Sequence, residues 1–178
     1  SVNDGKGLIM GGVTGVPPTQ VVIIGAGTVS EYAARTALGL GANIKIFDNH
    51  IYKLRRIKQL LGQQVHTSTI DNFSLNQALS EADVVIGALR AEKGRNKIVV
   101  NEEMVANMMH GSIIIDVGID QGGCVETSSP TTHDEPIFLK HGIIHYCVPN
   151  IASRVARTGS YSLSNIFTPI ILQMVDLG

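Results

Sequence analysis

Val21-Val22-Ile23-Ile24-Gly25-Ala26-Gly27-Thr28-Val29-Ser30 is the stretch on which the fold turns. Four apolar residues in a row suit a strand buried on both faces. Gly25 permits a tight turn out of that strand, and Gly27 lets backbone approach a phosphate closely. At Thr28-Val29 a helical pattern begins, whose free N–H groups and positive dipole end favour an anion. A second apolar run follows and ends in Asp48. A carboxylate there, about 20 residues past the first glycine, suits the two hydroxyls of an adenine ribose. The unit therefore reads as a dinucleotide-binding βαβ element. Ser30 stands where G-x-G-x-x-G has its third glycine. That glycine serves helix–strand packing, so a slight outward shift of the helix with retained binding is expected.

The rest of the chain repeats the alternation. Strands are expected at Gln20–Ile24, Asn43–Phe47, Val65–Ser68 (an edge strand), Asp83–Gly87, Ser112–Val117 and Ile143–Cys147. Helices are expected at Thr28–Leu40 and Ile51–Leu61, the latter burying Ile51, Leu54, Ile57 and Leu61 while Lys53, Arg55, Arg56 and Lys58 face mostly outward. Shorter helices should run through Leu75–Leu79, capped by Ser74, and from the cap Asn101 to Met108. A last helix should run from near Ser160 to Val175, kinked or divided at Pro169. Residues 1–18, glycine-rich and ending in Pro17-Pro18, read as a connector, with residues 19–178 as the nucleotide-binding domain. The pattern specifies an α/β fold, a Rossmann-type doubly wound parallel sheet with helices on both faces. Ligands of such sheets lie outside the carboxyl ends of the strands. That rule selects Gly25–Val29, Asp48, Ala88-Leu89, Val117–Asp120 and Val148–Asn150.

Composition narrows the function. The 178 residues are 44% hydrophobic and 16% charged, with a net charge of −1 and no Trp. No basic run is interleaved with aromatics, which argues against nucleic acid. No apolar stretch approaches the ~18 residues of a membrane span. Cys124 and Cys147 do not make a disulfide framework and read as buried small side chains of a reducing cytoplasm. His141 and His145 flank a strand-like Gly142-Ile143-Ile144, with no third ligand near, so no metal is expected. Asn72-Phe73-Ser74 matches a glycosylation sequon without other signs of secretion.

One stretch exceeds what the fold requires. Ile119-Asp120-Gln121-Gly122-Gly123-Cys124-Val125-Glu126-Thr127, continuing to Pro130-Thr131-Thr132-His133, closely resembles alanine dehydrogenases. So do Gly11-Gly12-Val13, Gly15-Val16-Pro17-Pro18, His145-Tyr146, Asn150, Arg157-Thr158 and the region from Leu163 to Asn165. The resemblance spans essentially the whole chain. It implies NAD as cofactor and reversible oxidative deamination of L-alanine to pyruvate and ammonium. It also implies a cytoplasmic homo-oligomer, in which a second domain outside this chain supplies the carboxylate clamp and proton-handling groups, so that this half alone is inactive. Residue by residue, Thr28 and Val29 match pyrophosphate contacts, Asp48 the ribose carboxylate, and Lys53 a lysine at the adenosine end. Leu89 and Arg90 match backbone positions along the cofactor. Val117, Gly118, Ile119 and Asp120, with Val148, Pro149, Asn150 and Ile151, match two loops around nicotinamide and substrate. Asp120 and Asn150 are the candidate catalytic residues; Gly25, Gly27, Thr28, Val29, Asp48, Lys53, Leu89, Arg90, Val117, Gly118, Ile119, Val148, Pro149 and Ile151 are the candidate cofactor contacts.

This chain also departs from the family. Ser30 replaces a frequent glycine, and Ile70 stands where some members place a cofactor-binding serine. Ile151-Ala152 stands where Met-Pro is common, and the charged loop Arg90–Lys97 lacks the usual proline and glycine pattern. Two other readings stay open: the NAD-binding domain of a proton-translocating transhydrogenase, which lacks the Asp-Gln-Gly-Gly-Cys run, and a non-catalytic NAD-binding regulator. Residues also admit plainer roles: Asp48 as a cap for the following helix, Asp120 as an acid ordering the glycine turn.

Overall fold

The computed structural model describes residues 5–62, 65–90 and 94–176. Residues 1–4 of the expected connector and residues 91–93 of the expected charged loop lie outside the described residues. Seven strands form one sheet: β1 (Gln20–Ile24), β2 (Asn43–Phe47), β3 (His66–Ser68), β4 (Val84–Gly87), β5 (Ile113–Asp116), β6 (Ile137–Lys140) and β7 (Ile143–Tyr146), in the order β3-β2-β1-β4-β5-β7-β6. All pairings are parallel except β6 with β7. The helices are α1 (Thr28–Gly39), α2 (Ile51–Leu61), α3 (Asn72–Ser80), α4 (Glu102–Ala106) and α5 (Ala156–Asp176).

Side-chain alternation along each strand divides the core in two. From β1, Val21 and Ile23 point to one face, where Ile44 and Ile46 of β2 meet Ala34 and Ala37 of α1 and Leu54 and Ile57 of α2. Val22 and Ile24 point to the other, packing with Val85, Ile114, Leu75 and Leu79 of α3, and Met104 and Val105 of α4. Residues on either side of one strand thus anchor helices on opposite faces. This is why the strands read as continuous apolar runs. Small side chains on α1 let it approach the sheet closely.

Several local expectations are corrected. Ile51 is 56% exposed, because α2 begins there; Leu54 and Ile57 are buried against the sheet and Leu61 packs half-buried on the same core. Asp71, not Ser74, caps α3: its carboxylate accepts the Ser74 N–H at 2.8 Å, so the helix starts three residues earlier than expected. The last helix begins at Ala156 and continues through Pro169.

The sheet is not wholly parallel. The antiparallel β6 escaped the sequence reading because its turn, His141-Gly142, is not a usual hairpin dipeptide. Both residues nevertheless have positive φ (54° and 73°), as a tight two-residue hairpin turn demands. Because β5 reaches β7 through this hairpin and not through a helix, the sheet face beside α1 is open. An apolar groove of about 980 Å³ lies there, bordered by Val84, Ile86, Ile113, Ile115, Tyr32 and Val155.

Candidate functional site

At the sheet's carboxyl edge the chain leaves β1 and β4 in opposite directions, and the crevice opens between them. Gly25 stands at φ 111°, and a Cβ there would lie 2.6 Å from the Ala88 carbonyl oxygen. The tight turn therefore needs glycine twice over, for its backbone conformation and for the close approach of β4. By contrast, a Cβ on Gly27 would meet nothing within 4 Å. Gly27 is the N-cap of α1 and offers no side-chain cap, so the helix N-terminus faces open space.

Asp48 follows β2 and is 3% exposed. Its Oδ2 accepts the Ala26 N–H at 2.8 Å, and its Oδ1 accepts the His50 N–H at 2.8 Å with His50 Nδ1 at 2.9 Å. The carboxylate thus ties the glycine turn to the start of α2, and still lines a cavity of about 290 Å³ with Asn49, His50, Ile70, Leu89 and Arg90. A carboxylate accepts about four hydrogen bonds; three are already taken, which leaves about one for a ribose hydroxyl. Arg56 holds the same turn from its other side. It donates to the Ala26 carbonyl at 3.4 Å and pairs with Glu31 at 3.4 Å. That cation is exposed, as expected, and still reaches back to the turn.

A second cavity of about 250 Å³ adjoins the first and shares Leu89 and Arg90 with it. Val29, Ala88, Val117, Gly118, Asp120 and Gln121 complete its wall. Asn96 ties this region together: its amide donates to the carbonyls of Leu89 at 3.0 Å and Gly118 at 3.3 Å. Its own Oδ1 is buried and has no partner among the described residues. Sequence reasoning passed over Asn96, since an asparagine in a charged loop carries no distinguishing pattern.

Asp120 sits in a 3-10 turn, Ile119–Gln121, directly after β5. The Asn150 N–H points at its Oδ2 from 3.4 Å, so the two candidate catalytic residues are neighbours although 30 positions apart. Asn150 holds φ 51°, a left-handed conformation that asparagine tolerates better than most side chains. Both are exposed, Pro149 is half-buried and Val148 is buried. Ile151 and Thr28 border the open apolar groove, while Val29 borders both it and the second cavity. Ile119 is buried beneath its turn. Lys53 stands apart: its ammonium lies 5.9 Å from the centre of the Tyr52 ring and lines neither cavity.

Buried groups beneath the cleft explain much of the conspicuous motif. Asp116 Oδ2 accepts the N–H groups of Cys124 (3.0 Å) and Val125 (3.3 Å). Burial pushes its carboxyl above the ordinary range, against the opposing pull of the Cys124 and Val125 N–H groups. His145 is fully buried, its Nδ1 3.0 Å from the Ile143 carbonyl and its Nε2 2.8 Å from Thr127 Oγ1. A carbonyl only accepts, so Nδ1 carries the proton and Nε2 accepts from Thr127. Burial holds this imidazole below its ordinary pKa. The same cause pushes the Cys124 thiol far up, with the Asp116 charge adding to it, which leaves no nucleophile.

Among the described residues no cluster of three His, Cys, Asp or Glu could hold a metal, and no helix is long and apolar enough to cross a membrane. A six-strand parallel sheet in the order 3-2-1-4-5-7, with a glycine turn and an acid at its crevice, defines a nucleotide-binding domain of the doubly wound class. The model of the alanine dehydrogenase/PNT C-terminal domain matches residues 1–178, and the chain belongs to that family. It is 44% identical over 174 residues to an alanine dehydrogenase of Mycolicibacterium smegmatis, covering 98% of this chain and 47% of that protein. A solved L-alanine dehydrogenase superposes with a TM-score of 0.94 at 39% identity, over 98% of this chain and 48% of the other. A transhydrogenase from Sinorhizobium meliloti gives a TM-score of 0.78 at 22% identity, over 90% and 46%, and shares the fold. The chain spans about half the length of the relatives it matches.

Proposed function

We propose that this chain is the NAD(H)-binding half of an NAD-dependent alanine dehydrogenase. The observation that carries the reading is a pair of adjoining cavities, each with an acid in its wall. Asp48 stands at the glycine turn, Asp120 with Asn150 at the ends of β5 and β7, and Leu89-Arg90 between them. The names of the relatives supply the substrate, L-alanine; its oxidative deamination yields pyruvate and ammonium. The reading includes a cytoplasmic homo-oligomer, and a second domain outside this chain that completes the site.

The residues present fit a dinucleotide. Gly27 leaves room at an uncapped helix N-terminus, where N–H groups can meet a pyrophosphate. Asp48 presents an acceptor for a ribose hydroxyl and repels a 2′-phosphate; Arg56 at the glycine turn is paired with Glu31, and Arg90 and Arg95 line the same cavity as Asp48. Bound NAD supplies the hydride acceptor. Asn96 holds the Leu89 and Gly118 carbonyls and so shapes the wall between the two cavities. Asp120, exposed at the far end, can orient the amino group or take a proton as the carbon–nitrogen bond oxidises. Its exposure is what a site completed from outside this chain requires. The test is turnover: the full-length protein should reduce NAD with L-alanine, and Asp120→Asn should lower kcat while NADH affinity is kept. Absence of alanine-dependent NADH formation would overturn the reading.

A further inference from the structure

Asp116 is the last residue of β5, in register with Gly87 of β4, and is 1% exposed. Asp116 lines neither cavity, and its carboxylate reaches beneath the turn that carries Asp120. Oδ2 takes the N–H groups of Cys124 and Val125, where the turn re-enters the core. The turn closes on itself through the Gly123 N–H to the Gly118 carbonyl at 3.0 Å. Two glycines make room for the acid: a Cβ on Gly123 would lie 2.5 Å from Oδ2 and one on Gly87 3.2 Å from Oδ1. Among the described residues the buried Oδ1 has no partner.

A buried carboxylate is costly, and a turn of this size could be closed by backbone bonds alone. We propose that Asp116 is a positioning residue for the reaction: by gripping the Cys124 and Val125 N–H groups it sets the height and orientation of the Ile119–Gln121 turn, and with it the place of Asp120. It acts through Asp120 and touches neither substrate nor cofactor. The two N–H donors lie four and five residues beyond Asp120, in a stretch whose Cys124 carbonyl also accepts the Val99 and Val100 N–H groups, so releasing them loosens the turn from below while the Asn96 contacts hold it from the side. The adenosine end of the cleft, built from Asp48 and the glycine turn, does not depend on that grip.

This inference rests on the reading of Asp120 as a catalytic residue, and a double-mutant cycle in the full-length protein separates the two. Asp116→Ala should lower kcat roughly 30- to 100-fold, the scale of a misplacement near 1 Å. NADH affinity by calorimetry should stay within about threefold, which also reports that the domain is folded. Adding Asp120→Asn should lower kcat little further, because residues that act as a unit are non-additive. Should Asp116→Ala fail to bind NADH, Asp116→Asn carries the same cycle. Its single acceptor oxygen predicts a smaller loss, about 3- to 10-fold, again non-additive with Asp120→Asn. Unchanged kcat in the Asp116 variants that bind NADH overturns the proposal, as do losses that multiply with that of Asp120→Asn. If Asp120→Asn alone leaves kcat unchanged, the catalytic reading of Asp120 fails, and this inference with it.

Discussion

The Asp48 carboxylate accepts the backbone N–H of Ala26 at 2.8 Å, joining the end of β2 to the middle of the glycine turn. One side chain therefore carries two duties, as ligand acceptor and as the pin that shapes the turn. Asp48→Ala removes both, so loss of NADH binding in that variant would not separate them. Asp48→Asn retains an amide oxygen for one N–H but removes the charge. It should weaken NADH roughly 10- to 100-fold, the worth of a hydrogen bond to a charged group. NADPH should weaken less, narrowing the preference between the two, as parallel calorimetric titrations would show. An unchanged preference would mean that the carboxylate does not discriminate at the ribose.

Ser30 is fully buried on α1, and its hydroxyl has no partner among the described residues. Removing an unsatisfied buried hydroxyl returns about 1 kcal/mol. Ser30→Ala should therefore raise the midpoint of thermal unfolding by about 2–4 °C in a domain of this size. NADH affinity should not change, since the residue lies on the sheet-facing side of the helix. A lower midpoint would show that the hydroxyl is satisfied in solution.

Much of this architecture was legible in advance. Helices and parallel strands betray themselves through local periodicity and glycine punctuation, which is why β1, β2 and α2 lie where expected. Residues whose roles depend on distant neighbours did not. Asp116 is one more residue in an apolar run until β4 places Gly87 beside it. Asn96 gains its role only when Leu89 and Gly118 approach it from two loops. His145-Tyr146 was visible as a motif, but its duty, holding Thr127, required the fold. Lys53 shows the reverse: the motif position is filled, yet the side chain rests on Tyr52. Asp120 and Asn150 were both named, and only the ends of β5 and β7 bring them together.

His145 predicts an acid-sensitive fold. Burial lowers its pKa below 6.5, the value of an exposed histidine. Above that pH it is neutral in both folded and unfolded chains, and it adds no pH dependence. As pH falls below 6.5 the unfolded chain takes up the proton first, so stability is lost until the pH drops below the folded pKa. Urea midpoints measured from pH 8 to pH 5 should fall on the acid side, and His145→Gln should flatten that slope. Thr127→Val should cost about 1–3 kcal/mol at pH 7 by leaving Nε2 buried without a donor. A slope identical in wild type and His145→Gln would refute the assignment.

Gly25→Ala should abolish NADH binding and destabilise the domain. The new methyl would sit 2.6 Å from the Ala88 oxygen at φ 111°, so both the turn and the end of β4 must move. Gly27→Ala is the informative contrast. Its methyl meets only open space within the protein, so the midpoint of thermal unfolding should hold, while NADH weakens as the methyl enters the space for the pyrophosphate. Equal loss of stability in both variants would contradict this division of labour.

The central claim, an NAD(H) site running from Asp48 to Asp120, is tested most directly by calorimetric titration of the full-length protein with NADH and, in parallel, NADPH. The account predicts saturable NADH binding, clearly tighter than NADPH, weakened by Asp48→Asn and left intact by Asp120→Asn. Equal affinity for the two cofactors, or NADH binding indifferent to Asp48→Asn, would contradict it.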